Sequence, residues 1–127
     1  TITFPDATGT VSLVGQRTYC LNVKMDDISS SGSVFVVAPV AGTFTKLFSI
    51  ISGTIDDANA VITAKVDAGT DVSNTLTIAT AGSAEGDVDI AIPGDNNSVS
   101  AGSVIKLTTD AGSSNTISAI FTIVITY

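Results

Sequence analysis

Hydrophobic and polar residues alternate with a period of two along most of the chain. Between residues 17 and 25, the apolar side chains Tyr19, Leu21, Val23 and Met25 are separated mostly by polar ones. Because successive side chains of a β-strand point to opposite faces, this pattern predicts a strand with one buried face. Similar runs bounded by turn-forming residues predict further strands at 33–38, 60–66, 75–80, 87–92 and 103–109.

The C-terminal run is the most apolar part of the chain. Ile120 and Val124 lie on one face of the predicted strand. The other face is apolar throughout and carries Ile117, Ala119, Phe121, Ile123, Ile125 and Tyr127. A strand that is apolar on both faces lies in the centre of a sheet or between subunits. These six residues are therefore interpreted as core or as an oligomer interface.

Residues 43–51 fit two patterns. Their apolar positions have the spacing of a helix, yet the segment is rich in β-branched and aromatic residues and is bounded by Gly42 and Gly53. The length between the two glycines favours a strand. The whole pattern predicts an all-β protein with little or no helix, folded as an antiparallel β-sandwich of about eight strands. The 127 residues are expected to form a single domain spanning 1–127.

Two connecting segments have recognisable turn chemistry. Pro93 and Gly94 occupy the centre of a predicted type II turn, which requires a positive φ at the glycine. Residues 110–114 separate two alternating runs and are interpreted as a hairpin loop.

Acidic residues occur in pairs that could supply oxygen ligands to calcium. The pairs are Asp26 with Asp27, Asp56 with Asp57, and Asp87 with Asp89. No loop has the dense ligand spacing of a dedicated site, and the first two pairs end apolar runs, where Asp caps turns. The third pair is interpreted as the solvent face of a strand whose buried face carries Val88, Ile90 and Ile92. No metal ion is expected.

Composition indicates a self-associating protein. Apolar residues make up 44% of the chain and charged residues 13%, with a mean hydropathy of +0.48. This is more apolar surface than one small core requires, which favours an oligomer. The longest apolar stretch, residues 34–41, is interrupted by Pro39 and is far shorter than the ~20 residues that a spanning helix needs, so no membrane span is expected.

Charge and residue types exclude several functions. The net charge is −7 and the five basic residues are scattered singly, which argues against nucleic-acid binding. The chain has no histidine, so Ser-His-Asp and Cys-His catalysis are impossible. We expect no enzymatic activity and no cofactor. The single cysteine, Cys20, has no basic neighbour that would activate it and is expected to be a buried or interfacial thiol.

Five short segments have the pattern of strands joined by turns. They are AGTFTK at 41–46, GTIDDANAVI at 53–62, AGSAEGDV at 81–88, SVSAGSVIK at 98–106 and DAG at 110–112. These segments resemble those of bacteriophage head proteins of the decoration, or cement, family. Ser103 stands where the family pattern has Asp. The resemblance implies a jelly-roll sandwich that forms a homotrimer, binds the lattice of the major capsid protein and lies on the outer surface of the phage head, with no catalytic residues.

Two other functions fit the same sequence features. A carbohydrate- or receptor-binding module of a phage tail fibre would share the architecture, as would a domain of a bacterial surface protein. A carbohydrate binder usually presents exposed aromatic rings, whereas the few aromatic residues here alternate with polar ones as core positions do. The pattern therefore favours decoration over sugar binding.

Overall fold

The computed structural model describes residues 17–127, which contain nine β-strands and no helix. The strands are β1 (Thr18–Met25), β2 (Gly32–Val37), β3 (Gly42–Ile51), β4 (Ala60–Val66), β5 (Leu76–Ile78), β6 (Val88–Ala91), β7 (Ser98–Val99), β8 (Val104–Thr109) and β9 (Ala119–Thr126). The all-β prediction is confirmed. The segment 43–51 is a strand despite its helical spacing, and β7 is a short strand that the alternation did not reveal.

The strands form two antiparallel sheets, as the sandwich prediction required. Sheet A has the order β1-β9-β3-β6, with β7 also paired to β3, and sheet B has the order β2-β8-β4-β5. The pairing is nested along the chain: β1 pairs with β9, β2 with β8, β3 with β6 and β4 with β5. Each sheet therefore combines strands from both halves of the described chain.

The core lies between the two sheets and is built from the inward positions of the alternating strands. In β4 every second residue is buried. In β9 the inward side chains Ala119, Phe121, Ile123 and Ile125 are almost completely buried. In these two strands, the alternation places one apolar face against the facing sheet.

The remaining C-terminal residues lie at the margins of this core. Ile117 is partly buried and packs against it. Tyr127 is half-buried, and its backbone N–H and carbonyl pair with the backbone of Arg17 at 2.8 and 3.1 Å. The apolar C-terminal face thus belongs mainly to the interior of one protomer, and of the apolar residues of β9 only Ile120 and Val124 point to the outside of sheet A.

The segment 110–114 is not a hairpin loop, contrary to the prediction. It leads from β8 in sheet B to β9 in sheet A, so the two strands that it connects do not pair with each other. The segment packs closely over the β3–β4 connection, since a Cβ atom on Gly112 would overlap the carbonyl oxygen of Asn59. Alternation identified both strands correctly, but it does not specify which strands become partners.

The Pro93-Gly94 segment ends β6, but it is not a type II turn, because the φ of Gly94 is not in the left-handed region. The backbone N–H groups of Gly94 and Asp95 donate to the Ser73 hydroxyl at 3.2 and 2.6 Å. A Cβ atom on Gly94 would lie 2.8 Å from that hydroxyl. A larger residue here would displace the Ser73 hydroxyl from these hydrogen bonds, and the positive φ occurs later, at Asn96.

Candidate interaction surface

Strand β6 faces the opposite way from the prediction. Val88, Ile90 and Ile92 were expected to be buried, but they are 51–55% exposed. The register explains the reversal: β6 pairs with β3 so that Asp89 lies beside the buried Ser49, which points into the sandwich. Residues that are paired across neighbouring strands point to the same face of the sheet. Because Ser49 points inward, Asp89 also points inward, and Val88, Ile90 and Ile92 point outward.

These residues extend an apolar surface across sheet A. Ile120, Ile50 and Val88 lie side by side on adjacent strands, and each is 43–55% exposed. We call the surface formed by Ile50, Val88, Ile90, Ile92 and Ile120 the apolar outer face. A contiguous exposed patch of this kind marks an interaction site more reliably than scattered apolar residues do.

A shallow depression of about 230 Å³ lies at one end of the apolar outer face. Its wall includes Ile50, Ile120, Ser118 and Glu85. Backbone hydrogen bonds fix its shape, including one from Ser52 N–H to the Ser118 carbonyl at 3.0 Å. A preformed recess of this kind can receive an apolar side chain from a binding partner.

Charged groups are distributed unevenly around the molecule. Among the described residues, the outward positions of β1, β9, β3 and β6 include Lys24 and Lys46 but no acidic residue. Four connections at one end of the sandwich hold seven acidic residues. These are Asp26, Asp27, Asp56, Asp57, Glu85, Asp87 and Asp110. The sheet surface is therefore neutral to basic, although the protein is strongly acidic.

A smaller apolar patch lies on the outside of sheet B. It consists of Phe35, Val37 and Val104, and Phe35 is 61% exposed. The ammonium group of Lys106 lies 5.9 Å from the centre of that ring, within the range of a cation–π interaction. Alternation with polar residues predicted core positions for the aromatic residues, and the exposed Phe35 and Tyr19 are exceptions.

Cys20 is exposed, so it is not a buried core thiol, and its expected place at an interface stays a prediction. It occupies an outward position of β1, opposite Val124 of β9. The alternating residues Leu21 and Val23 are partly buried and pack against the core. Because strand geometry places adjacent residues on opposite faces, Cys20 points outward with the polar set.

The Asp26 and Asp27 pair serves a turn. Asp27 accepts hydrogen bonds from the N–H and hydroxyl of Ser29 and from the Ser30 hydroxyl, at 2.6–2.8 Å. These bonds stabilise the ionised form and lower the pKa of Asp27. In the second pair, Asp57 adopts a positive φ of 67° in a turn. The described residues contain no group of three His, Cys, Asp or Glu side chains that could hold a metal ion.

Asp89 differs from the other acidic residues because it points into the sandwich. Its Oδ2 atom is buried and has no hydrogen-bond partner among the described residues, and the same is true of the Ser49 hydroxyl beside it. Burial raises the pKa of Asp89, and the nearby negative charge of Asp87 raises it further, while a hydrogen bond from the Ala79 backbone opposes both effects. The ionised form of Asp89 is thus disfavoured by folding.

We therefore predict that Asp89→Asn raises the melting temperature at neutral pH. A carboxyl group whose pKa is raised by folding stabilises the fold when protonated, and this contribution is lost as pH rises above the ordinary value near 3.8. The difference in melting temperature between variant and wild type should therefore grow between pH 4 and pH 7 in a series of thermal melts.

Asp27→Asn is the matched control, and its melting temperature should change in the opposite direction. Because the pKa of Asp27 is lowered by folding, its contribution is present at neutral pH and is lost as pH falls below about 3.8. The control variant should melt below wild type at pH 7. A pH-independent effect of Asp89→Asn would show that its ionisation is not coupled to folding.

Residues 17–127 include no helix with the length and hydrophobicity that crossing a membrane requires. No protein-family model matches this sequence, and no curated protein matches it significantly.

Proposed function

We propose that this chain is a structural decoration (cement) protein that binds the outer surface of an assembled phage capsid as a homotrimer and stabilises it. The family-like segments support the proposal by their positions. Residues 41–46 begin β3, residues 53–62 lead from β3 into β4, and residues 81–88 lead from β5 into β6. The resemblance therefore lies in the connections that direct the chain from one strand to the next.

The nested pairing of the strands is the observation that carries the proposal. A jelly roll consists of eight main strands in two sheets, wound so that the chain folds back on itself through Greek-key connections. Eight of the nine strands here form two four-stranded rows with nested pairing, and β7 is a short addition beside β3. This order supports the jelly-roll architecture implied by the family resemblance.

Ser103, the residue that departs from the family pattern, has a structural role in this chain. Its buried hydroxyl donates to the Asp67 carboxylate at 3.0 Å and accepts from the Ser100 N–H at 3.0 Å. An aspartate here would place a second negative charge against Asp67. The substitution is thus accommodated by a local hydrogen-bond network and does not weaken the turn.

Multivalency explains how such a protein could stabilise a lattice. A homotrimer presents three identical contact patches, so the second and third contacts form at high effective concentration once the first has formed. Assembled heads should therefore bind the protein much more tightly than dissociated capsid subunits do. The acidic end loops would mainly affect the association rate and its dependence on salt.

The test is to mix the purified protein with undecorated heads of its own phage and, separately, with dissociated capsid subunits. Co-sedimentation should show saturable uptake by heads and little binding to subunits, and decorated heads should open at a higher temperature. If heads neither take up the protein nor gain stability, the proposed function is wrong.

Exposure of Phe35 favours a second candidate, a carbohydrate- or receptor-binding module. Phe35 is 61% exposed, and its ring can stack against a sugar, although Lys106 already lies near it. Sugar binding that disappears in Phe35→Ala, combined with no binding to heads, would support this function over decoration.

A further inference from the structure

The apolar outer face of sheet A has the features of a contact between copies of this chain. We propose that it forms the interface of the homotrimer, with the copies arranged around an axis that runs along the strands. This inference rests on the trimer in the proposed function and adds the surface and orientation through which the trimer forms.

Electrostatics favour a second copy as the occupant. Copies of a chain with a net charge of −7 repel each other, and the repulsion is smallest where acidic residues are absent. Among the described residues, the outward positions of β1, β9, β3 and β6 meet this condition. They also carry four exposed Val and Ile side chains, and the exposed Ile92 follows directly after β6. Contact through this face would leave the acidic end loops in water.

A row of residues that crosses sheet A determines how the copies are oriented around the trimer axis. Lys24, Ile120, Ile50 and Val88 lie side by side on β1, β9, β3 and β6, from one edge of the sheet to the other. An axis parallel to the strands keeps this row at the same height in every copy and brings the β1 edge of one copy towards the β6 edge of the next. Ile120 then approaches Ile50 of the partner subunit.

The same arrangement brings opposite charges together. Lys24 lies at the β1 edge, and Glu85 lies three residues before Val88, which begins the other edge strand. The Lys24 Nζ atom also lies 3.4 Å from Asp26 Oδ1 of the same chain, and both side chains are largely exposed. Ion pairs on the surface are weak, so Lys24 can exchange this partner for another. Lys24 can therefore approach Glu85 of the partner subunit. A threefold axis perpendicular to the sheet would instead turn the strands of neighbouring copies by 120°, so that the rows would no longer lie level with each other.

A charge-reversal experiment tests both the face and the orientation. Wild type, Lys24→Glu, Glu85→Lys and the double variant are compared by light scattering and sedimentation at micromolar concentration. Wild type should be trimeric, and each single variant should associate at least about tenfold more weakly, because like charges then face each other. The double variant should recover most of the association, because the attractive pair is restored in reverse.

Two further substitutions test whether the trimer forms through this face or through another part of the surface. Ile50→Asp places a charge in the centre of the apolar outer face and should give a monomer with the same circular dichroism as wild type. Val37→Asp places the same charge on the outside of sheet B and should leave the trimer intact.

The outcomes distinguish this inference from the proposed function. If wild type is a trimer and the charge reversals, alone or combined, leave it unchanged, the proposed interface is wrong while decoration stands. If Val37→Asp, and not Ile50→Asp, dissociates the trimer, the interface lies on sheet B. A monomeric wild type would overturn the trimer itself, together with this interface.

Discussion

Phe121→Asp is expected to prevent the protein from folding. Phe121 has no exposed surface, and it lies in β9 between Val23 of β1 and Ser49 of β3. A carboxylate at this point cannot reach water, and no basic side chain lies on the inward face of the neighbouring strands to pair with it. Together with the loss of the ring, the cost is on the order of 5 kcal/mol or more, comparable to the whole stability of a domain of this size.

Circular dichroism and the dispersion of amide signals in an NMR spectrum would show whether the variant folds. Ile120→Asp is the matched control, because it places the same charge one residue earlier, on the exposed side of the same strand. The control should retain the β-sheet spectrum, whereas Phe121→Asp should not. A folded Phe121→Asp protein would show that the described core is incorrect.

Gly42→Ala is also expected to cause a large loss of stability. Gly42 begins β3, and a Cβ atom there would overlap the carbonyl oxygen of Thr126 and lie 3.0 Å from side-chain atoms of Ile125 and Tyr127. Backbone atoms of a central strand cannot move aside cheaply, so we expect a loss of about 1–3 kcal/mol in the free energy of unfolding. Urea denaturation would show the loss as a lower midpoint with an unchanged slope.

Gly32→Ala provides the comparison for this substitution. Gly32 also begins a strand, but the nearest atom to an added Cβ is the Ser30 carbonyl oxygen at 3.8 Å, an ordinary contact distance. This variant should unfold at nearly the same urea concentration as wild type. An equal loss in both variants would assign the effect to glycine itself and not to the crowded contact at Gly42.

Alternation in the sequence predicted the strands well because it reflects the geometry of a single strand. β4 has the predicted bounds, and its inward residues are buried as the pattern requires. Partnership between strands depends instead on contacts that are distant in the sequence. The segment 110–114 shows this limit, because the two runs on either side of it belong to different sheets.

The orientation of β6 shows a second limit. A period of two groups residues by face, but it does not state which face becomes the inside. Hydrophobicity alone placed Val88 and Ile90 inside, whereas pairing with β3 places Asp89 inside beside Ser49. The apolar outer face was consequently not predicted as a whole. Only the outward Ile120 and Val124 indicated that sheet A had a second apolar side.

The nested order of the strands also has a consequence for how the chain can fold. β1 pairs with β9 over its entire length, and β9 lies between β1 and β3 in the finished sheet. Sheet A therefore cannot be completed until residues 119–126 have been synthesised, and until then β1 and β3 lack the strand that joins them. Pairings so distant in sequence form slowly, because the entropy of closing a long loop is lost before the contacts stabilise it. During synthesis on the ribosome, the β4–β5 pair can form early, whereas the unpaired edges of β1 and β3 remain open to association with other nascent chains.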